Sequence, residues 1–485
     1  MGEKSIWKNV VYNFIKTISN VIFPLLSFSY VSRVLGPEGI GKYTFSSTYV
    51  SYYVLLASLG ITTYAIRECA SVRSNQKAVD QLSSEIISIN ICTMIISYSI
   101  MIGTLYLFSS LREYRILILI LSGNIVFTII GADWINSAFE DFKYITVRTF
   151  VFQLLSFIFI TIFVKHQEDT VVYAIISISS IILANVCNLI YRRRLCRTRF
   201  TLRMRWKTHF PPIVTLFVML LVQTIFSSSD ITIIGLFRSD YEVGLYNVAV
   251  KVFSILTSLI ASVMWVVLPK LTIAFSNKNY DEINYIIKDI FQLMFGIGLP
   301  CIVGVAMLSK EVVFVLGGAD YIGAEGYLVL LMIALFFSLI GGSVLGNMIM
   351  LPSKREKYFL IACFVAAVVN IILNLMFVPR FGARAAAITT ILSHVIILCL
   401  LIPRVEKEIS FGFLPKAVVP PIIGCGYIII VIVIVKRFID NPVAVILGSI
   451  FVSSVGYFCI LYFLKYELMQ KIISGIRNKT RKGDE

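Results

Sequence analysis

Charge is the first thing this chain has little of. Of 485 residues only 14% are Asp, Glu, Lys or Arg, 58% are hydrophobic, and the mean hydropathy is +0.87. Soluble domains carry about 25% charged residues. So thin a polar coat excludes a water-soluble globular domain and puts most of the surface against lipid or other membrane helices. Histidine is scarcer still, with 3 copies, and the 9 cysteines include no C-x-x-C pair and fall mostly in apolar runs or on the expected cytoplasmic side. Neither a zinc site nor a disulfide scaffold fits that usage. The chain also lacks a phosphate-cradling glycine motif, a nucleophile placed beside a base, and any cofactor signature, which argues against an enzyme. No A-x-A-like cleavage site follows "MGEKSIWKNVVYNFIK", so the first apolar run is expected to remain as an uncleaved anchor.

What is present is a series of apolar runs punctuated by short Gly, Pro or charge clusters. A helical span needs about 20 mainly apolar residues. Fourteen candidates follow, roughly 10–33, 42–66, 82–108, 116–137, 145–164, 171–191, 211–237, 243–268, 289–309, 326–350, 358–378, 384–402, 418–435 and 442–464. Runs such as "YIIIVIVIV" exclude a β-barrel, whose strands need a polar lumen face at every second residue. The expected fold class is an all-α polytopic membrane protein.

The 43 Lys and Arg against 27 Asp and Glu give a net charge of +16, and their placement is lopsided. With the N-terminus inside, the inner segments hold 29 basic residues, the outer segments 11 and the spans 3. The positive-inside rule then predicts cytoplasmic termini and an even number of spans. The densest block, "YRRRLCRTRFTLRMRWK", reads as a cytoplasmic loop near anionic head groups and gives no support to nucleic-acid binding.

Two stretches echo one another. A shift of 203 residues lays "EGIGKY" (Glu38 to Tyr43) over "YEVGLY" (Tyr241 to Tyr246), matching Gly41 to Gly244 and Tyr43 to Tyr246. A looser echo, offset by 214, relates the fifth and eleventh runs, each opening on Lys-Tyr and closing on Phe-Val. Six spans per repeat give two halves of like orientation, related by an axis along the membrane normal. The expected organisation is residues 1–200 (spans 1–6), 201–404 (spans 7–12) and 405–485 (spans 13 and 14 with a cytoplasmic tail). The echo turns should be tight extracytoplasmic hairpins, where glycine suits a chain reversal at close backbone approach. Two such bundles with a cleft between them describe an alternating-access transporter.

The stretches "SRVLGPEGIGKYTFSSTYVSYYVLLASLGITTYAIRECASVR", "DWINSAFEDFKYITVR", "SDITIIGLFRSDYEVGLYNVAVKV" and "PRFGARAAAITTILSHV" resemble, in order, the Wzx-type polysaccharide transporter branch of the multidrug/oligosaccharidyl-lipid/polysaccharide exporter superfamily. The resemblance covers residues 8 to 400; spans 13 and 14 agree in number and placement only. It implies a V-shaped, MATE-like protein of two six-helix lobes in the bacterial plasma membrane. Such a protein flips undecaprenyl-diphosphate-linked oligosaccharide, for O-antigen, capsule or exopolysaccharide, from the cytoplasmic to the outer leaflet. Membrane lipids, H+ or Na+ as a coupling ion, and a polysaccharide polymerase and chain-length regulator are the partners it suggests; it implies no cofactor and no metal.

Ionisable residues within spans are the candidates for the site, because burying a charge in hydrocarbon is costly. Asp230 and Lys251 each lie about ten residues from the second echo turn, hence about 15 Å deep at about 1.5 Å per residue. A diphosphate-binding Lys251 with Asp230 as its partner, and a purely structural ion pair, both remain open. Lys16 and Arg148 lie just inside their cytoplasmic boundaries, where they either snorkel to the interface or form a basic vestibule. Asn370 and Asn374 share one helix face at i,i+4 spacing, suited to interhelical hydrogen bonding or to sugar contact. Arg33 belongs with the first echo turn, and Arg67, Glu68 and Asp133 with interface anchoring.

The rival functions are a MATE-like drug or cation antiporter and an integral-membrane glycan polymerase. The polymerase is disfavoured because the longest external segment, about 310–325, is too short for a catalytic domain. The topology is tested by reporter fusions: fusion after Arg205 is expected to report cytoplasm and fusion at Asp240 the exterior. An external signal after Arg205 would reverse the assignment.

Overall fold

The computed structural model describes the chain from residue 3 to residue 471 except residues 266 and 406, and side chains from residue 19 onward except 263 and 265. Among the described residues all regular structure is helical. Hydrocarbon offers the backbone no hydrogen-bond partner, so a spanning segment must satisfy its own N–H and C=O groups, as a helix does. Among the described residues thirteen helices are long and apolar enough to cross a membrane. The chain is a multi-pass membrane protein.

The fourteen expected spans all fall within these thirteen helices, because the first two are continuous. Helix Glu3–Ser58 runs through Gly36, whose φ of 68° and ψ of 179° are the only non-helical pair within it. At about 1.5 Å per residue an unbroken helix of 56 residues would be about 84 Å long, far beyond a hydrocarbon core of about 30 Å. Side-chain contacts establish that the chain reverses at Gly36. In the first arm, Gln153 Nε2 donates to Asn20 Oδ1 at 2.9 Å, Phe23 meets Phe150, and Tyr30 donates to the Val164 carbonyl at 2.9 Å, so this arm runs parallel to helix Phe142–Phe163. In the second arm, Tyr49 meets Thr104, Ser97 donates to the Tyr53 carbonyl, and Thr93 donates to the Ala57 carbonyl, so it runs antiparallel to helix Gln76–Leu107. Glycine supplies the left-handed φ, and Pro37 opens the second arm, where a missing N–H costs nothing.

The described chain forms two compact units, Met1–Gly244 and Leu245–Glu485. In the first, the two arms pack on helices Gln76–Leu107, Phe142–Phe163 and Trp206–Phe237. The two echo segments, expected as hairpin turns, instead lie within helices just after the chain reversals, and they meet inside this unit. A methyl group built on Gly41 would lie 1.8 Å from the Asp240 carbonyl oxygen, and one on Gly244 would lie 2.0 Å from the Pro37 carbonyl oxygen. Pro37 and Asp240 are 203 residues apart, as are Gly41 and Gly244, so the contact is reciprocal under the shift that relates the repeats. Gly235 receives the Phe45 ring in the same way, and Tyr114 donates to Asp240 Oδ1 at 2.7 Å. Small residues let helix backbones approach closely where no hydrophobic drive exists between helices in lipid.

In the second unit, the last two helices, Leu414–Phe438 and Pro442–Phe463, pack on each other and on the helical run Tyr280–Met307. That run widens into a π-helical turn at Met294–Gly298, and Tyr457 donates to the Gly296 carbonyl there at 2.8 Å. Tyr466 donates to the carbonyls of Gln292 (2.6 Å) and Ala417 (3.1 Å), fixing the end of the last helix to the same run. A second π-helical stretch covers Leu339–Met350, where Gly346 lies against the Phe359 ring.

Alanine at Gly41 or Gly244 cannot coexist with the reciprocal contact. Each substitution is expected to destabilise the protein by about 1–3 kcal/mol through overpacking, read as a lower midpoint in thermal unfolding of the detergent-solubilised protein. Gly426→Ala, in a helix where a methyl meets nothing within 4 Å, is the control and should be neutral or slightly stabilising.

Candidate functional site

The polar stretch Ser227–Asp230 sits in an otherwise apolar helix, Trp206–Phe237. Its flanking hydroxyls are satisfied within the helix: Ser227 donates to the Thr224 carbonyl and Thr232 to the Ser228 carbonyl. Asp230 is buried at 7% exposure. Two residues on, Thr232 Oγ1 meets the Tyr52 hydroxyl at 2.8 Å, and Tyr49 and Tyr53 share Thr104 Oγ1, each at 2.7 Å. The second arm of the first helix thus presents three tyrosine hydroxyls to its neighbours. A band of uncharged hydrogen-bonding groups adjoins the helix that carries Asp230.

Lys251 belongs to the second unit and is exposed, on helix Asp240–Trp265. Asn370 and Asn374 lie on helix Glu356–Phe381 and are 1% and 0% exposed. Asn374 Nδ2 donates to Asn370 Oδ1 at 3.1 Å, and the Thr389 hydroxyl on helix Ala383–Leu401 donates to Asn374 Oδ1 at 2.5 Å. These bonds are those of the interhelical alternative. The side chain of Lys16 lies outside the described residues.

Arg148 is 8% exposed. Nη2 donates to Asp133 Oδ2 at 2.7 Å, and the Tyr144 ring lies 5.5 Å from the guanidinium carbon. Nε and Nη1 are buried without a hydrogen-bond partner. A guanidinium with unspent, buried donors is a place for an anionic oxygen. Asp133, expected only as an interface anchor, is therefore Arg148's partner. Arg67 and Glu68 form an exposed 3.1 Å pair, as anchors would, and Arg33 is exposed beside the Gly36 turn.

A second charged cluster had no place among the sequence candidates. Glu85 and His209 are 3% and 2% exposed. His209 Nε2 meets Glu85 Oε2 at 2.8 Å, His209 Nδ1 meets the Tyr64 hydroxyl at 2.7 Å, and Arg205 Nε donates to Glu85 Oε2 at 2.9 Å. Gln81 Nε2 donates to the other carboxylate oxygen. The cluster ties helices Ile61–Ser71, Gln76–Leu107 and Trp206–Phe237 together. Its sequence signal was the one acid in the apolar run 82–108, read without the histidine that completes it.

The family's sequence profile, described as polysaccharide biosynthesis protein, matches residues 6–275, more than half of the chain and the whole stretch that carries both echo turns. The chain belongs to that family. Over 414 residues it is 21% identical to a candidate O-antigen transporter of Escherichia coli (strain K12), covering 84% of this chain and 98% of that protein. The fold is shared with solved membrane transporters. The inward closed conformation of the lipid II flippase MurJ matches with a TM-score of 0.77 at 18% identity, covering 95% of this chain and all of that one. A point mutant of the Vibrio cholerae MATE transporter VcmN matches with a TM-score of 0.51 at 12% identity, covering 84% of this chain and 98% of that one.

Removing one partner from a buried charge cluster strands the others. Glu85→Ala is expected to cost about 3–5 kcal/mol, because His209 and Arg205 lose their acceptor. Glu85→Leu combined with His209→Leu should recover much of that loss, since an apolar pair strands less charge. Equilibrium unfolding of the three proteins in mixed micelles reads the difference, and additive losses would refute the coupling.

Proposed function

We propose that the protein is a flippase for lipid-linked oligosaccharides. It carries undecaprenyl-diphosphate-linked repeat units for O-antigen, capsule or exopolysaccharide from the cytoplasmic to the outer leaflet of the bacterial plasma membrane, with both termini in the cytoplasm. The two repeats, 1–200 and 201–404, alternate access to a central site, with 405–485 as an appended helix pair. A diphosphate and several sugars cannot cross hydrocarbon unaided, because desolvating them without compensating bonds costs far more than thermal energy. A membrane protein with no catalytic constellation answers that need by offering a polar path.

The observation that carries this reading is the seam between the echo turns. Positions equivalent in the two repeats meet carbonyl against glycine, a contact of dispersion and weak C–H···O character. The same boundary is also bridged by Tyr114–Asp240 and Tyr52–Thr232, so in this reading a conformational cycle exchanges these contacts as well as the glycine contacts. The match to the E. coli relative over nearly that protein's whole length supports a glycan cargo. A cation or drug antiporter shares the fold, and a drug-resistance assay separates the two. H+ or Na+ is the coupling ion of this reading, and collapsing each gradient in turn during an export assay identifies it.

Within this reading Lys251 meets the diphosphate and Asp230 balances its charge in the empty state. Arg148, with two unspent donors, and Lys16 complete a basic vestibule, while Asn370 and Asn374 act as interhelical ties. Lys251→Ala is expected to abolish glycan export while the protein still inserts, and Lys251→Arg to retain part of it because a cation survives. Surface glycan, measured by gel in cells complemented with each variant, decides the matter. Full export by Lys251→Ala combined with Asp230→Ala would make the pair structural and move diphosphate recognition to Lys16 and Arg148.

A further inference from the structure

Helix Thr170–Tyr191 passes into a 3-10 turn, Arg192–Arg194, in which the amides of Leu195 and Cys196 both return to the Arg192 carbonyl, at 2.9 and 3.0 Å. The chain then runs alongside helix Gln76–Leu107. The amide of Arg197 donates to Asp80 Oδ1, that of Arg199 to Ser84 Oγ and that of Thr201 to Ser88 Oγ, at 2.9, 3.0 and 2.9 Å. Every second amide of the loop meets every fourth residue of the helix. Two residues of extended chain rise about 6.6 Å and four of helix about 6 Å, so the two ladders stay in register. The loop is therefore a fixed element of the first unit.

This held loop walls a cavity of about 490 Å³ lined by Arg192, Arg193, Arg197 and Arg199, with Thr198 and Cys196, and by no carboxylate. Arg192 is 6% exposed, and its Nη1 is buried with no hydrogen-bond partner. Arg194 is turned away onto the Tyr191 ring. Asp80, the nearest acid tied to the loop, spends Oδ1 on the Arg197 amide and on Gln76 Nε2. Four arginines line one cavity, three of them exposed, and the buried Arg192 carries an unmet donor beside the like charge of Arg193; an anion with several acceptor oxygens answers both. Guanidinium forks match phosphate oxygens in geometry, and the cavity lies at the end of a helix long and apolar enough to cross a membrane, where a lipid phosphate is within reach.

We propose that the Arg192–Arg199 pocket binds the phosphate group of a membrane lipid. The shared chemistry is a phosphate ester on an apolar anchor, supplied either by an anionic phospholipid or by an isoprenyl diphosphate. A phospholipid ligand is independent of the flippase reading, whereas an isoprenyl diphosphate ligand rests on it; because the assay reads binding and not transport, failure of one is distinguishable from failure of the other.

The test is native mass spectrometry of the full chain in detergent micelles, titrated with phosphatidylglycerol, phosphatidylcholine and undecaprenyl diphosphate. Three variants are compared with the unaltered protein. One combines Arg193→Gln, Arg197→Gln and Arg199→Gln; the second is Arg192→Met. The third removes equal charge outside the cavity through Arg194→Gln, Arg203→Gln and Lys207→Gln, all away from the pocket lining. The expected result is at least tenfold weaker binding of an anionic lipid by the first variant, little change in the third, and no effect on phosphatidylcholine. Loss confined to phosphatidylglycerol assigns the pocket to phospholipid, and loss confined to undecaprenyl diphosphate assigns it to the isoprenyl lipid. Equal weakening by the first and third variants reduces the effect to surface charge and overturns the proposal, as does unchanged binding of both anionic lipids. Because the first variant leaves the buried Arg192 in place, a folding failure of Arg192→Met leaves the test intact.

Discussion

Hydrocarbon cannot hydrogen-bond a peptide group, and every feature of this protein is arranged around that fact. The chain answers with helices wherever it crosses and confines breaks to places where another group takes over the freed carbonyls. Where helix Glu3–Ser58 ends, the Ala57 carbonyl receives both Asn90 and Thr93. Where the run Tyr280–Met307 widens into a π turn, the Gly296 carbonyl receives Tyr457. Several serine and threonine hydroxyls inside spans, those of Thr146, Ser180 and Thr257 among them, turn back to carbonyls of their own helix.

Once the backbone is satisfied internally, association between helices depends on how closely they approach and on which polar groups they share. Glycine serves the first need at the echo turns, where Gly41 and Gly244 each admit a carbonyl from the opposite turn. The second need is met by a few compact networks: Asn370, Asn374 and Thr389 in one unit, and Tyr64, His209 and Glu85 in the other. Each joins consecutive or neighbouring helices through groups that would be expensive to leave unpaired in lipid.

Basic residues serve two different ends. Some join loop segments: those holding Arg73, Glu140, Leu195 and Arg197 are brought together at one end of the first unit by the Arg73–Glu140 pair and by the bonds from Gln76 and Asp80. Others are paired within or beside the spans: Arg148 takes Asp133, and Arg205 with His209 takes Glu85. Unspent donors on Arg148 and Arg192 are exceptions to that economy, and they are where an anionic ligand has something to complete.

The sequence by itself determined the spans, the repeat and the lopsided charge. Transfer of a side chain to hydrocarbon is a property of that side chain summed over a local window, and a repeat is visible wherever turn residues recur at one offset. Even the reversal at Gly36 was written there, in a glycine followed by a proline. Which polar groups meet was decided only by tertiary structure. Nothing in the spacing of Glu85 and His209, 124 residues apart, says that they touch, nor did Arg148 point to Asp133, 15 residues before it on another helix. That pairing depends on the rotation of each helix about its axis and its slide against its neighbour. Both are set by the packing of many weak contacts, none of which a single sequence records.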